Sequence, residues 1–165
     1  MSAKPEKTSP LTSDHRTLLI SQFGLVLECA KAADIDTDDE SENAPETSEV
    51  LDEVVRWWHA QPAHERPERD DMVFALGIAM GDYVRHVLDV EWRAVHDEDG
   101  VEFALVNEKG DGQHIFWPVS SVAKRFDDSP DGFVCDFLDA MFSAEAVQPL
   151  LREEDNPPEP LLPEE

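Results

Sequence analysis

Residues Met72–Phe126 read MVFALGIAMGDYVRHVLDVEWRAVHDEDGVEFALVNEKGDGQHIFWPVSSVAKRF, and the hydrophobic period changes twice within them. Val73, Leu76, Met80, Val84 and then Val87 or Leu88 recur at the spacing of one helix face. From Val90 the period is two: Val90, Trp92 and Ala94 alternate with Glu91, Arg93 and Val95, and Val101, Phe103 and Leu105 with Glu102, Ala104 and Val106. Asp97–Gly100 and Lys109–Gly112 supply turn residues, with glycine where a left-handed backbone is often needed. His114–Trp117 reads as a third strand, ended by Pro118, and Val119–Phe126 as a short helix. The stretch predicts an α+β fold, with about five helices packed on one face of a three-stranded antiparallel β-meander.

Working outward, Pro67 opens the helix before this stretch, with Glu68, Asp70 and Asp71 at its positive end. A helix beginning at Thr47/Ser48 carries Val50, Leu51, Val54, Val55 and Trp58 on one face, with Trp57 at its edge. Another runs from about Asp14 to Ala33, capped by Thr12 or Ser13; polar residues break its apolar face, so it is not a signal-peptide core. A last helix runs from Phe133 to about Ala146. The expected organisation is one domain over 12–146, with disordered tails at 1–11 and 147–165 and an acidic mobile linker at 34–46.

The run Leu76-Gly77-Ile78-Ala79-Met80-Gly81-Asp82-Tyr83, then Glu91-Trp92, the Asp99-Gly100 turn and Phe116-Trp117-Pro118-Val119-Ser120-Ser121-Val122-Ala123-Lys124-Arg125 occur in order. This set resembles an uncharacterised bacterial family, a domain of unknown function (the 3806 type). It departs from the family pattern at Trp117, which stands between Phe116 and Pro118. The resemblance implies an α+β domain and brings no activity or catalytic residue with it.

The formal net charge is −25, and residues 1–49, 50–145 and 146–165 contribute −7, −13 and −5. The acidity therefore belongs to the folded part as well as the tails. Such a field repels phosphate backbones and anionic lipid and attracts basic proteins. Direct nucleic-acid binding and membrane association are not expected; a basic protein is the expected partner. No run approaches the ~18 apolar residues of a membrane span. Cys29 and Cys135 make no metal or CxxC spacing and suit a reducing cytosol.

No cofactor or catalytic motif is present: Ser120 and Ser121 lie in no G-x-S-x-G turn, and Cys135 has acidic neighbours that blunt a thiolate. His59 with His64, and His96 with His114, lack metal-site spacing. Asp127–Asp139 begins like a calcium loop but places Leu138 where a carboxylate is required. Two readings lead, with calcium binding at Asp127–Asp139 kept as a third. The first is a cytosolic, non-enzymatic interaction or regulatory protein, anchored through Trp57, Trp92 or Trp117. The second is a binder of anionic small molecules, or an enzyme, using a groove over Gly77 and Gly81 with Arg85, Arg93, Lys124 and Arg125. Each of those glycines costs its helix about 1 kcal/mol relative to alanine, so something must lie close against them.

Overall fold

The computed structural model of the chain describes residues 7–35, 47–107, 114–128, 133–153, 155, 158 and 161. The elements are β1 (Lys7–Pro10), α1 (Ser13–Ala32), α2 (Thr47–Ala60), α3 (Arg69–Val87), β2 (Glu91–Asp97), β3 (Gly100–Asn107), β4 (His114–Phe116), α4 (Pro118–Ala123) and α5 (Phe133–Ser143). Single 3-10 segments follow α2 and α5, at Ala63–Glu65 and Glu145–Leu150. The chain is thus mixed α+β, with an antiparallel sheet in the order β1-β2-β3-β4. The turn between β2 and β3 pairs Asp97 with Gly100, and Gly100 has φ +130°, a conformation open to glycine and strained for other residues.

Three strands follow the expected meander; the fourth does not. Lys7–Pro10, expected to be disordered, pairs with β2, Thr8 opposite Val95 and Ser9 opposite Ala94. The outer edge of β2 otherwise presents a row of backbone donors and acceptors, and this segment satisfies them. Pro10, which has no N–H to donate, sits at the strand's last residue on the sheet's edge. Immediately after it, Thr12 caps α1: its Oγ1 accepts from the His15 amide, and its own amide donates to His15 Nδ1.

One face of the sheet, through Trp92, Ala94, Phe103 and Leu105, joins α1, α2, α3 and α5 in the main core. The opposite face has its own small cluster of Val95, Ala104 and Val106 under Trp117. Just past the C-cap Ala33 of α1, Asp34, with φ of 60°, turns the chain back so that the Ile35 amide reaches the Ala30 carbonyl. Ile35 then packs on the core, so the first two residues of the linker expected over 34–46 belong to the fold, and residues 36–46 lie outside the described region. The second hairpin turn, at 109–112, also lies outside. α3 begins at Arg69 rather than Pro67, because Glu68 is still extended (ψ 149°) and serves as the N-cap, while the Pro67 carbonyl accepts from Trp58 Nε1 at 2.9 Å.

Residues 147–152, expected to belong to a disordered tail, are built into the fold. Leu151 bridges to Leu88, the Asp89 amide donates to the Leu150 carbonyl at 2.7 Å, and the Arg152 amide to the Val87 carbonyl at 2.8 Å. The Arg152 side chain is only 5% exposed. A single arginine among acidic residues finds at the α3–β2 junction a set of carbonyls and carboxylates that need its donors.

Candidate functional site

The two glycines of α3 decide what the expected groove can hold. A Cβ on Gly77 would lie 2.6 Å from Val119 Cα, and one on Gly81 2.5 Å from the Trp92 ring and 2.7 Å from Pro118 Cγ. No real Cβ tolerates such contacts, so the missing side chains let α4 and Trp92 approach the α3 backbone. The groove expected to receive a ligand is filled by the protein's own atoms. Gly77, Gly81, Trp92, Pro118 and Val119 form a packing lock that joins helix, strand and following helix.

Of the four expected cations, Arg85 and Arg125 have separate partners. Arg85 is buried at the end of α3, its Nε donating to Asp82 Oδ1 at 2.9 Å and its Nη1 3.5 Å from Glu91 Oε2. Asp82 Oδ1 also accepts from Trp92 Nε1 at 3.4 Å, and His86 Nδ1 donates to the Asp82 carbonyl at 2.8 Å. Arg152 completes this junction: Nε reaches the Arg85 and Leu88 carbonyls at 3.0 and 3.2 Å, and Nη2 the Val90 carbonyl and Glu91. Arg125 lies elsewhere, 4.5 Å over the Phe137 ring, with Nη1 on the Ser121 carbonyl at 2.8 Å. Arg93 is half-buried on β2, opposite Ala104 and Pro10, and Lys124 is exposed. Arg85 and Arg125 take their own surroundings, because neighbouring carboxylates and carbonyls bind a guanidinium as well as a ligand anion would.

The tryptophans also have local tasks. Trp92 belongs to the main core and Trp117 covers the second face of the sheet, whereas Trp57 is half-buried at the edge of α2. Trp58 anchors a further seam: Arg66 lies 3.6 Å over its ring, and His59 donates from Nε2 to the Phe126 carbonyl at 2.8 Å. That bond fixes His59 Nε2 as a donor, while His64 is exposed. Among the described residues no three His, Cys, Asp or Glu side chains are grouped to hold a metal ion. Of the calcium-like segment, 129–132 lies outside the described residues, and Leu138 is buried in the core.

One buried carboxylate escaped the sequence reading. Asp52, on the apolar face of α2, accepts from the Val134 and Cys135 amides at 2.8 and 3.0 Å and so caps α5 from another helix. A charged residue between Leu51 and Val54 on a core-facing helix was the signal for it. Burial, with added contributions from Asp52, pushes the Cys135 thiol up to about 11. Burial likewise raises Cys29, and both cysteines are free thiols.

Two clefts of about 310 Å³ stand out among the described residues. One lies beside the closed junction, against Ile20, Phe23, Asp82, Arg85 and His86, with Pro158 and Leu161 on its wall. The other opens at the tip of the β2–β3 hairpin. Phe74, Phe103, Val101 and Val119 line it, and Asp99 and Glu102 contribute carboxylates. Glu102 Oε1 is held by the Ser120 hydroxyl at 2.8 Å.

With this geometry in place, residues 53–133 match the family described as a domain of unknown function (DUF3806), from within α2 to the start of α5. The resemblance to DUF3806 therefore holds. The packing lock, the hairpin-tip cleft and the Arg85 side of the junction all lie inside the DUF3806 match. β1, α1 and the Arg152 strap lie outside it. No curated protein and no solved structure matched the chain.

Proposed function

We infer that this chain is a cytosolic interaction module whose acidic surface meets a basic protein, without direct nucleic-acid binding and without a catalytic step of its own. One observation carries the reading: five arginines are engaged by the protein's own acceptors while many carboxylates stay outside. Arg66, Arg69, Arg85, Arg125 and Arg152 give donors to the protein's own carbonyls or carboxylates. Asp70, Asp71, Glu98, Asp99, Asp128, Asp136 and Asp139 are exposed. The surface field is therefore negative on a chain of net charge −25. Such a field accelerates encounter with a positive surface and is screened over about 8 Å at physiological salt. Among the described residues no helix is long and apolar enough to cross a membrane.

A pull-down from host lysate at low and at moderate salt tests this reading. A basic protein retained at low salt and weakened at moderate salt is the expected result. A clean lane at both salts would remove the proposal.

A further inference from the structure

We propose that the hairpin-tip cleft receives an arginine or lysine side chain carried on the basic partner. The proposal rests on the interaction reading above and adds a docking point to it. The cleft joins two features that a cation on an apolar stem requires together. Phe74 and Phe103, with ring centroids 6.4 Å apart, and Val119 give it an apolar and aromatic lining. Aromatic faces carry negative potential and attract guanidinium and ammonium groups. Asp99 and Glu102 complement the charged end, while the methylene stem covers apolar surface.

Three further observations favour this occupant. Val101 lines the cleft and remains 48% exposed, an apolar surface open to a partner. The Ser120 hydroxyl holds Glu102 in place before any partner arrives. A volume of about 310 Å³ lies at the lower end of ligand pockets, which run from about 300 to 1,000 Å³, so one side chain suits it better than a cofactor. The cleft is open to solvent, so a small free cation would bury little of its own surface there. A side chain presented by a protein gains the remaining contacts and the acidic field together.

The test uses the full chain labelled with ¹⁵N and a capped arginine–glycine repeat peptide, with its citrulline counterpart as an uncharged isostere. Amide shifts concentrated at Phe74, Val101, Glu102, Phe103 and Val119 are expected with the arginine peptide and not with citrulline. The double substitution Asp99→Asn/Glu102→Gln weakens binding about tenfold; its new side-chain amide still offers the Ser120 hydroxyl an acceptor. Val101→Lys, at an exposed position, blocks the cleft with a cation of its own. The pair Asp136→Asn/Asp139→Asn, on exposed positions of α5, changes binding by less than about twofold. Shifts spread over the whole acidic surface, with equal losses in both double variants, would overturn the cleft and leave the interaction reading standing. No binding of the arginine peptide at low salt would overturn both.

Discussion

The two ends of the β2–β3 ribbon treat charge in opposite ways. Where α3 meets β2, Asp82, Asp89 and Glu91 lie against Arg85 and Arg152, and both arginine side chains are nearly sealed from water. At the hairpin tip, Asp99 is exposed and Glu102 half-buried beside an open apolar cleft. The difference follows from solvation. A carboxylate inside a packed seam costs several kcal/mol unless a cation or N–H donors replace its water. At a rim a carboxylate keeps part of its water, which lowers that cost. In this chain the closed end holds the fold together and the open end faces solvent.

Removing the closed end's cation is expected to have the largest effect. Arg152→Ala removes one donor each from the carbonyls of Arg85, Leu88 and Val90 and the buried cation beside Asp89 and Glu91. Loss of about 3–5 kcal/mol is expected by urea unfolding; a change below about 1 kcal/mol would break the contrast between the two ends.

The packing lock comes next. Gly77→Ala forces a methyl against Val119 backbone and destabilises by about 1–3 kcal/mol. Gly24→Ala on α1, where nothing lies within 4 Å, stabilises by about 0.5–1 kcal/mol. Melting temperatures of the two variants should therefore move in opposite directions.

Asp52→Ala asks whether a carboxylate sealed in a seam can be held by backbone donors in place of a cation. It is expected to cost about 1–2 kcal/mol, with hydrogen exchange at the Val134 and Cys135 amides accelerating before the rest of α5. Nearby, the Cys135 thiol is raised from its ordinary 9.0 to about 11 by burial first and its contact with Asp52 second. A raised folded-state value means that the folded form keeps its proton longer than the unfolded chain. Stability is fully present below pH 9.0 and declines as pH rises through about 11. Thermal unfolding of the parent protein should therefore fall more steeply than that of Cys135→Ser across this window. Parallel curves would show that the seam around α5 is as open as the hairpin tip.

The smallest stability effect belongs to the open end. Asp99→Asn/Glu102→Gln should leave stability within about 0.5 kcal/mol while weakening capture of a basic peptide. A large loss of stability would mean that these carboxylates hold the fold, and the contrast would disappear.

Much of the fold was legible because hydrophobic period is a local property. The switch at Val90 located the end of α3 and the start of the sheet, the Asp97–Gly100 turn fixed the hairpin, and Thr12 marked the start of α1. Gly77 and Gly81 announced a close approach, but not whether a ligand or the chain itself would fill it. The site was less legible. Arg85, Arg93, Lys124 and Arg125 are near one another in sequence pattern, yet their partners are set by which carbonyls and carboxylates the fold brings to each.

The sequence by itself determined the acidic field, the helix faces, the β2–β3 turn and the α+β class, since each depends on residue type and short spacing. Only the tertiary structure decided that Lys7–Pro10 would complete the sheet, that Asp52 would cap α5 across 82 residues of chain, and that Arg152 would close the α3–β2 junction. Those contacts join segments whose local patterns carry no trace of each other. Their reason is the same in each case: backbone groups and charges enclosed by packing must find partners, and the partners come from whatever part of the chain the fold places within reach.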